Sequence, residues 1–203
     1  YTMSAINCNF LGDLECNNCN EPLVGRITAI AFTLSGYNID FPSTAVNWMD
    51  AICLDNAIIF HDVRASYDGG SVVETTGYGN NAVRKSSSNH TITGFIPFDP
   101  AKRDLLNELA KNASLFQVWF IASDKLYKSD DKATIFFSAS LPVEEDLTTT
   151  LEYEFMIKWA SPELPLCYDK PQKIFDSVSK FNEVFACHEC PDGVNECADV
   201  LCC

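Results

Sequence analysis

Basic residues are scarce in this 203-residue chain: 14 Lys and Arg stand against 28 Asp and Glu, for a net charge of −14. Such a field repels phosphate backbones and anionic lipid headgroups alike, which argues against a tight nucleic-acid binder. Long apolar runs are also missing. The richest stretch, residues 115–122, is strand-length, far short of the roughly 18 residues a membrane-spanning helix needs. Histidine occurs only at His61, His90 and His188, and no Gly-x-Ser-x-Gly elbow surrounds a serine. Gly69-Gly70 and Gly77-x-Gly79 lie in a polar stretch without the Lys-Ser/Thr of a phosphate loop. No coherent catalytic set emerges, and the chain is read as a non-enzyme. His61, beside Asp62 in a strand pattern, reads as a hydrogen-bonded structural histidine. His90, at the edge of a Ser-rich stretch, reads as solvent-exposed. The run Glu144-Glu145-Asp146 lacks the interleaved oxygens and Gly of a calcium loop and reads as a solvated acidic turn.

What is present is a globular composition, 47% hydrophobic and 12% aromatic, able to bury enough apolar area to offset its ordering entropy. Between residues 150 and 159, Leu151, Tyr153, Phe155, Ile157 and Trp159 alternate with Glu152, Glu154, Met156 and Lys158, the period of a half-buried strand. Similar runs at 26–34, 56–64, 90–96, 115–122 and 133–141 bring the expected strands to six and suggest an antiparallel β-sandwich or open barrel. The polar turn at 127–132 predicts that 115–122 and 133–141 form a hairpin. Asp99-Pro100, followed by Leu105, Leu106 and Leu109, predicts a flanking helix over 99–112. A second helix is expected after Pro171, where Ile174, Val178, Phe181 and Phe185 recur at helical spacing. Residues 67–89, rich in Gly, Ser and Asn, read as a long loop, either mobile or a docking element.

The ten cysteines are unevenly placed. Cys8, Cys16 and Cys19 open the chain and six more, from Cys167 to Cys203, close it, with Cys53 alone between. This predicts three parts: an N-terminal arm (1–22), a β core (23–161) that folds on hydrophobic burial alone, and a C-terminal helix with a Cys-rich arm (162–203). Cys16-Asn17-Asn18-Cys19 and Cys187-His188-Glu189-Cys190 are CxxC pairs. Four thiolates at that spacing suit a structural zinc joining the arms; disulfides within or between chains are the other reading. Neither pair follows a βαβ pattern, which speaks against a catalytic redox pair. The chain opens on Tyr1 rather than Met, which keeps a removed leader and a secretory route open.

From residue 25 to residue 159 the order of elements resembles the tail tube proteins of tailed bacteriophages. The likeness runs through early strands, a long polar stretch, Thr91-Ile92-Thr93-Gly94-Phe95-Ile96-Pro97, a short helix opening at Asp99-Pro100, and closing strands. The resemblance implies a β-sandwich with a flanking helix. It further implies hexameric rings whose inner sheets join around a DNA-conducting lumen, stacking of rings through a long loop and the termini, and other tail proteins as partners. It places the protein in the virion, assembled in the host cytoplasm, with DNA passing through rather than being held. The cysteine-rich arms depart from that family. They keep a second class in view, a secreted surface or filament subunit crosslinked through cysteine.

Overall fold

The computed structural model describes residues 26–39, 43–76, 83–142, 151–171 and 173–185, with side-chain surroundings not described for 70–76 and 83–86. Strand β1 (Ile27–Leu34) organises the fold. It is buried on both faces, with Ile30 and Phe32 turned to one side and Ala29 and Ala31 to the other. Along one edge it pairs antiparallel with β5 (Phe116–Ala122). Along the other it pairs first with β2 (Ala57–Phe60) and then, only at Ile27 and Ala65, with β3 (Arg64–Thr76). Between β2 and β3 the chain turns a corner at His61-Asp62-Val63, where Asp62 has φ 57°, and from there it leaves β1 and pairs with β4 (Val83–Pro97).

That corner folds a nine-stranded antiparallel sheet, ordered β7-β8-β4-β3-β1-β5-β6-β9 with β2 also on β1, into two facing layers. Strands that switch layers at bends are how sandwiches and open barrels turn their corners. Layer A holds β1, β2, β5, β6 (Lys125–Lys128) and β9 (Leu166–Asp169). Layer B holds β3, β4, β7 (Phe136–Ser140) and β8 (Glu152–Ser161). Phe32 of β1 meets Phe137 of β7 edge-on, with ring centroids 5.6 Å apart, and Phe120 of β5 stacks on Tyr67 of β3 at 5.2 Å. Both contacts cross the space between layers, and the inner core lies there. The mainly β, sandwich-like architecture read from the sequence is therefore the observed one, with nine strands among the described residues where six were expected.

Three helices are described. Helix α1 (Ala45–Cys53) was not anticipated; it starts at a capping box in which Thr44 and Asn47 satisfy each other's backbone amides. Its Trp48, Met49 and Ala51 cover the outer face of layer A against Trp119, Ile121 and Leu126. Helix α2 (Lys102–Asn112) is the predicted flanking helix, three residues shorter at its start. Asp99 Oδ1 accepts the Ala101 amide at 3.0 Å ahead of it, and Leu106 and Leu109 seal one end of the inner core. Helix α3 (Val178–Phe185) is the second predicted helix, but Ile174 and Phe175 precede it in a turn and are fully buried under layer A.

Two local expectations are corrected. Residues 67–89 are largely a hairpin rather than a loop: β3 and β4 pair from Arg64↔Phe95 out to Thr76↔Val83, with residues 77–82 outside the described residues. Strands β5 and β7 do not form a hairpin with each other. Ser123, at φ 56°, turns β5 directly into β6, which pairs Ala122↔Lys125, while β7 pairs with β8.

Candidate assembly surface

The outer face of layer A is covered by α1, Ile174, Phe175 and α3. Among the described residues nothing covers the outer face of layer B. Its register brings side chains into three rows across the four strands β7, β8, β4 and β3. These are Phe136, Lys158, Thr91 and Asp68; then Ser138, Met156, Thr93 and Ser66; then Ser140, Glu154, Phe95 and Arg64. The opposite faces of the same strands carry Phe137, Ile157 and Ile92 into the inner core, which is why the sequence alternates so regularly here. Five of these twelve side chains are hydroxyls, four are charged and three are apolar. Its charges are mixed: Arg64 forms an ion pair with Glu152 and lies 5.7 Å from the centre of the Phe95 ring. A shallow depression of about 450 Å³ sits between Arg26, Arg64, Thr93 and Glu154. Among the described residues of this face, Arg64 and Lys158 stand with Asp68, Glu152 and Glu154, and no basic patch forms.

Both long edges of layer B are open among the described residues. Strand β7 pairs only with β8 and reads Phe-Phe-Ser-Ala-Ser, with Phe136 56% exposed. Natural sheet edges are usually guarded by Lys, Pro or a bulge, and β7 has none of these. On the other side, β3 meets β1 only at Ala65, and from Ser66 onward no further strand among the described residues pairs along its far edge. Strand β8 accompanies β4 only over Ser88–Pro97. The rest of the hairpin, Val73↔Ser87 to Thr76↔Val83, extends past the end of β8 as a two-stranded ribbon. Such a ribbon is marginally stable alone.

Gly94 makes the corner of this layer possible. A Cβ there would fall 2.3 Å from the Arg64 carbonyl oxygen and 2.4 Å from the Ala65 Cβ, so the close approach of β4 to β3 at the turn requires glycine.

The histidines divide. His61 is buried as expected of a structural histidine: its Nε2 lies 2.7 Å from the Ile174 carbonyl oxygen, its ring packs 5.1 Å from Phe181, and burial lowers its pKa below the usual value. His90 is not exposed but fully buried, because it follows the inward alternation of Ile92 and Ile96 along β4. Its Nδ1 lies 2.6 Å from the Tyr67 hydroxyl, and its ring stacks 5.1 Å from Trp159. Desolvation raises the Tyr67 pKa well above the usual phenol value.

The predicted zinc ligands Cys16, Cys19, Cys187 and Cys190 lie outside the described residues, as does the acidic run at 144–146. Among the described residues no three His, Cys, Asp or Glu side chains gather to hold a metal ion, and no helix is long and apolar enough to cross a membrane. The expectation that the middle of the chain folds on burial alone needs correction, because Cys53 is disulfide-bonded, as is Cys167. The sequence assigns no bond to either sulfur, since pairing is set by tertiary position. Comparison with family models, curated proteins and solved structures gave no match to this chain.

Proposed function

We propose that the chain is a virion structural protein, a tail tube subunit that builds stacked hexameric rings around a DNA-conducting lumen. The observation that carries this reading is layer B: four antiparallel strands with one face buried and, among the described residues, one face bare and both edges open. The free edge of β7 in one copy fits the free edge of β3 in the next. Such a contact is heterologous, and heterologous contacts either close into rings or run on as filaments. Six copies would contribute about 24 strands. At a spacing of about 4.8 Å and a tilt of about 40°, they close a barrel roughly 48 Å across at the backbone, wider than a DNA duplex. The bare face then lines the lumen, and its hydroxyls and mixed charges, on a chain of net charge −14, let DNA pass without being held. The projecting hairpin supplies a contact from ring to ring.

The alternative is a secreted surface or filament subunit held by cysteine crosslinks. It is favoured by the disulfide state of Cys53 and Cys167, since disulfides persist in oxidising compartments. Electron microscopy of the purified chain, beside a variant carrying Ser138→Lys and Ser140→Lys on the β7 edge, separates the two. The tube reading expects rings or tubes with an open channel from the unaltered chain and folded monomers from the variant. Solid fibres, monomers at every concentration, or unchanged assembly of the variant would overturn it.

A further inference from the structure

Strands β5 and β6 turn alternate residues to the two faces of layer A: Val118 and Tyr127 lie in the inner core, Trp119 and Leu126 in the outer cluster. The same alternation sets two polar side chains on the outer face, Lys128 directly opposite Trp119 and Gln117 two residues before Trp119 on β5. Both are enclosed, Gln117 at 4% exposed and Lys128 at 7%. The Lys128 ammonium lies 5.0 Å from the centre of the Trp119 ring, and Tyr168 of β9 stands 6.3 Å from that indole.

One carboxylate reaches both. Asp131 Oδ1 forms an ion pair with Lys128 Nζ and accepts a hydrogen bond from Gln117 Nε2 at 2.9 Å. Two contacts of hydrogen-bond length to a single oxygen keep the two nitrogens within about 6 Å of each other. The turn that carries Asp131 is itself fixed: Ser129 Oγ accepts the Val118 amide at 3.1 Å, and the carboxylate of Asp130 accepts the Lys132 amide and the Ser161 hydroxyl. Gln117 Oε1 is buried with no hydrogen-bond partner among the described residues, so its amide is held through the nitrogen alone. A carboxylate, an amine and a side-chain amide also meet on α2, where Glu108 contacts Lys111 Nζ at 2.7 Å and Asn112 Nδ2 at 3.5 Å. There the Lys and Glu side chains stand in water, without the enclosure that holds Lys128 beside its amide.

We propose that Lys128 and Gln117 condense to an isopeptide bond, with Asp131 as the catalytic proton carrier. The Asp131 carboxylate takes one proton from the Lys128 ammonium, and the amine so formed attacks Gln117 Cδ to make the Nζ–Cδ bond. The Asp131 carboxyl then passes its proton to the amide nitrogen and the Cδ–Nε2 bond breaks. A second Nζ proton follows through Asp131, and the nitrogen leaves as ammonium. Atoms and charge balance, and neither bond change alters an oxidation state. Side-chain amides acylate amines slowly in water; here the rate comes from holding the two groups together at high effective concentration. The Asp131 side chain is 58% exposed, which gives the ammonium a way out. The product closes residues 117–128 into a covalent ring and locks β5, the partner of β1, to β6. The inference rests on neither functional reading above.

Mass spectrometry of the full chain, denatured and reduced, tests it. The intact mass should fall about 17 Da below that of the sequence, the loss of one ammonia on acyl transfer to the amine. Trypsin does not cut after an acylated lysine, so the digest should contain a branched peptide joining residues 112–125 to residues 126–132. Cleavage between Lys111 and Asn112 should be normal, since the set on α2 stays unlinked. Lys128→Arg and Asp131→Asn should each restore the full mass and the separate peptides. A full-mass unaltered chain, a loss of the same size mapped to other residues, or a link that survives Asp131→Asn would overturn the proposal. Asp131 is exposed, so its variant is expected to fold, and the map of the unaltered chain decides the matter even where Lys128→Arg does not.

Discussion

Phe136 and Phe137 are neighbours on β7 and should respond to truncation in opposite ways. Phe137 is 2% exposed and joins the two layers through the edge-on contact with Phe32 at 5.6 Å and a stacked contact with Phe155 at 6.5 Å. Truncating a buried Phe to Ala costs about 3–5 kcal/mol through lost transfer energy and the cavity left behind. The two ring contacts add to the burial term, so Phe137→Ala is expected at about 4 kcal/mol, a large share of the roughly 5–15 kcal/mol that holds a domain together. Phe136 is 56% exposed on the bare face, and Phe136→Ala should change stability by no more than about 0.5 kcal/mol. Urea unfolding of the monomer followed by Trp fluorescence reads both values. Sedimentation of the same samples reads assembly, which Phe136→Ala should weaken by removing an apolar contact at the open edge. A loss below about 1 kcal/mol for Phe137→Ala would sink the two-layer account of the core. Equal stability losses for the two variants would sink the assignment of faces on β7.

Further expectations concern the corner, the histidine and the hairpin. Gly94→Ala should destabilise by about 1–3 kcal/mol, seen as a lowered melting temperature, because the new methyl overlaps Arg64 backbone and the Ala65 Cβ; an unchanged melting temperature would contradict the close approach. Burial lowers the His61 pKa from its usual 6.5. The unfolded chain therefore binds that proton first, and stability is lost as pH falls through about 6.5 towards the lower folded value; urea titrations should show a smaller loss for His61→Gln than for the unaltered chain. Backbone amides of the ribbon beyond Ser88 should exchange rapidly in the monomer and slowly once copies assemble, and equal rates in both states would remove its docking role.

How much of this could be read beforehand follows from where burial is one-sided. Residues 152–159 alternate because β8 has the core on one face and, among the described residues, no cover on the other. Residues 118–122 form a continuous apolar run because β5 is covered on both. The hairpin reads as a loop in the sequence because its Gly, Ser and Asn content hides any apolar period. Strands β6 and β9 are four residues each, too short for a pattern to emerge. His90 was misplaced because its Ser-rich flank outweighed a signal that was available, its spacing of two and six residues from Ile92 and Ile96. Of the candidate assembly surface, the bare face of β8 was visible in its Glu and Lys positions. The open edges were not, since strand order depends on pairings between residues far apart in the chain.

The central position of β1 has a consequence for synthesis. Five successive residues, Ala29 to Thr33, need cover on both sides, yet their partner β5 ends at Ala122. At about 5–20 residues per second, β1 leaves the ribosome roughly 4–18 s before that strand is complete. During this interval an apolar strand waits with one edge and one face unoccupied by β5 and its neighbours. The nascent chain is thus at its most adhesive early, and its yield in a cell should depend on chaperones that hold the first third of the sequence until the middle third arrives.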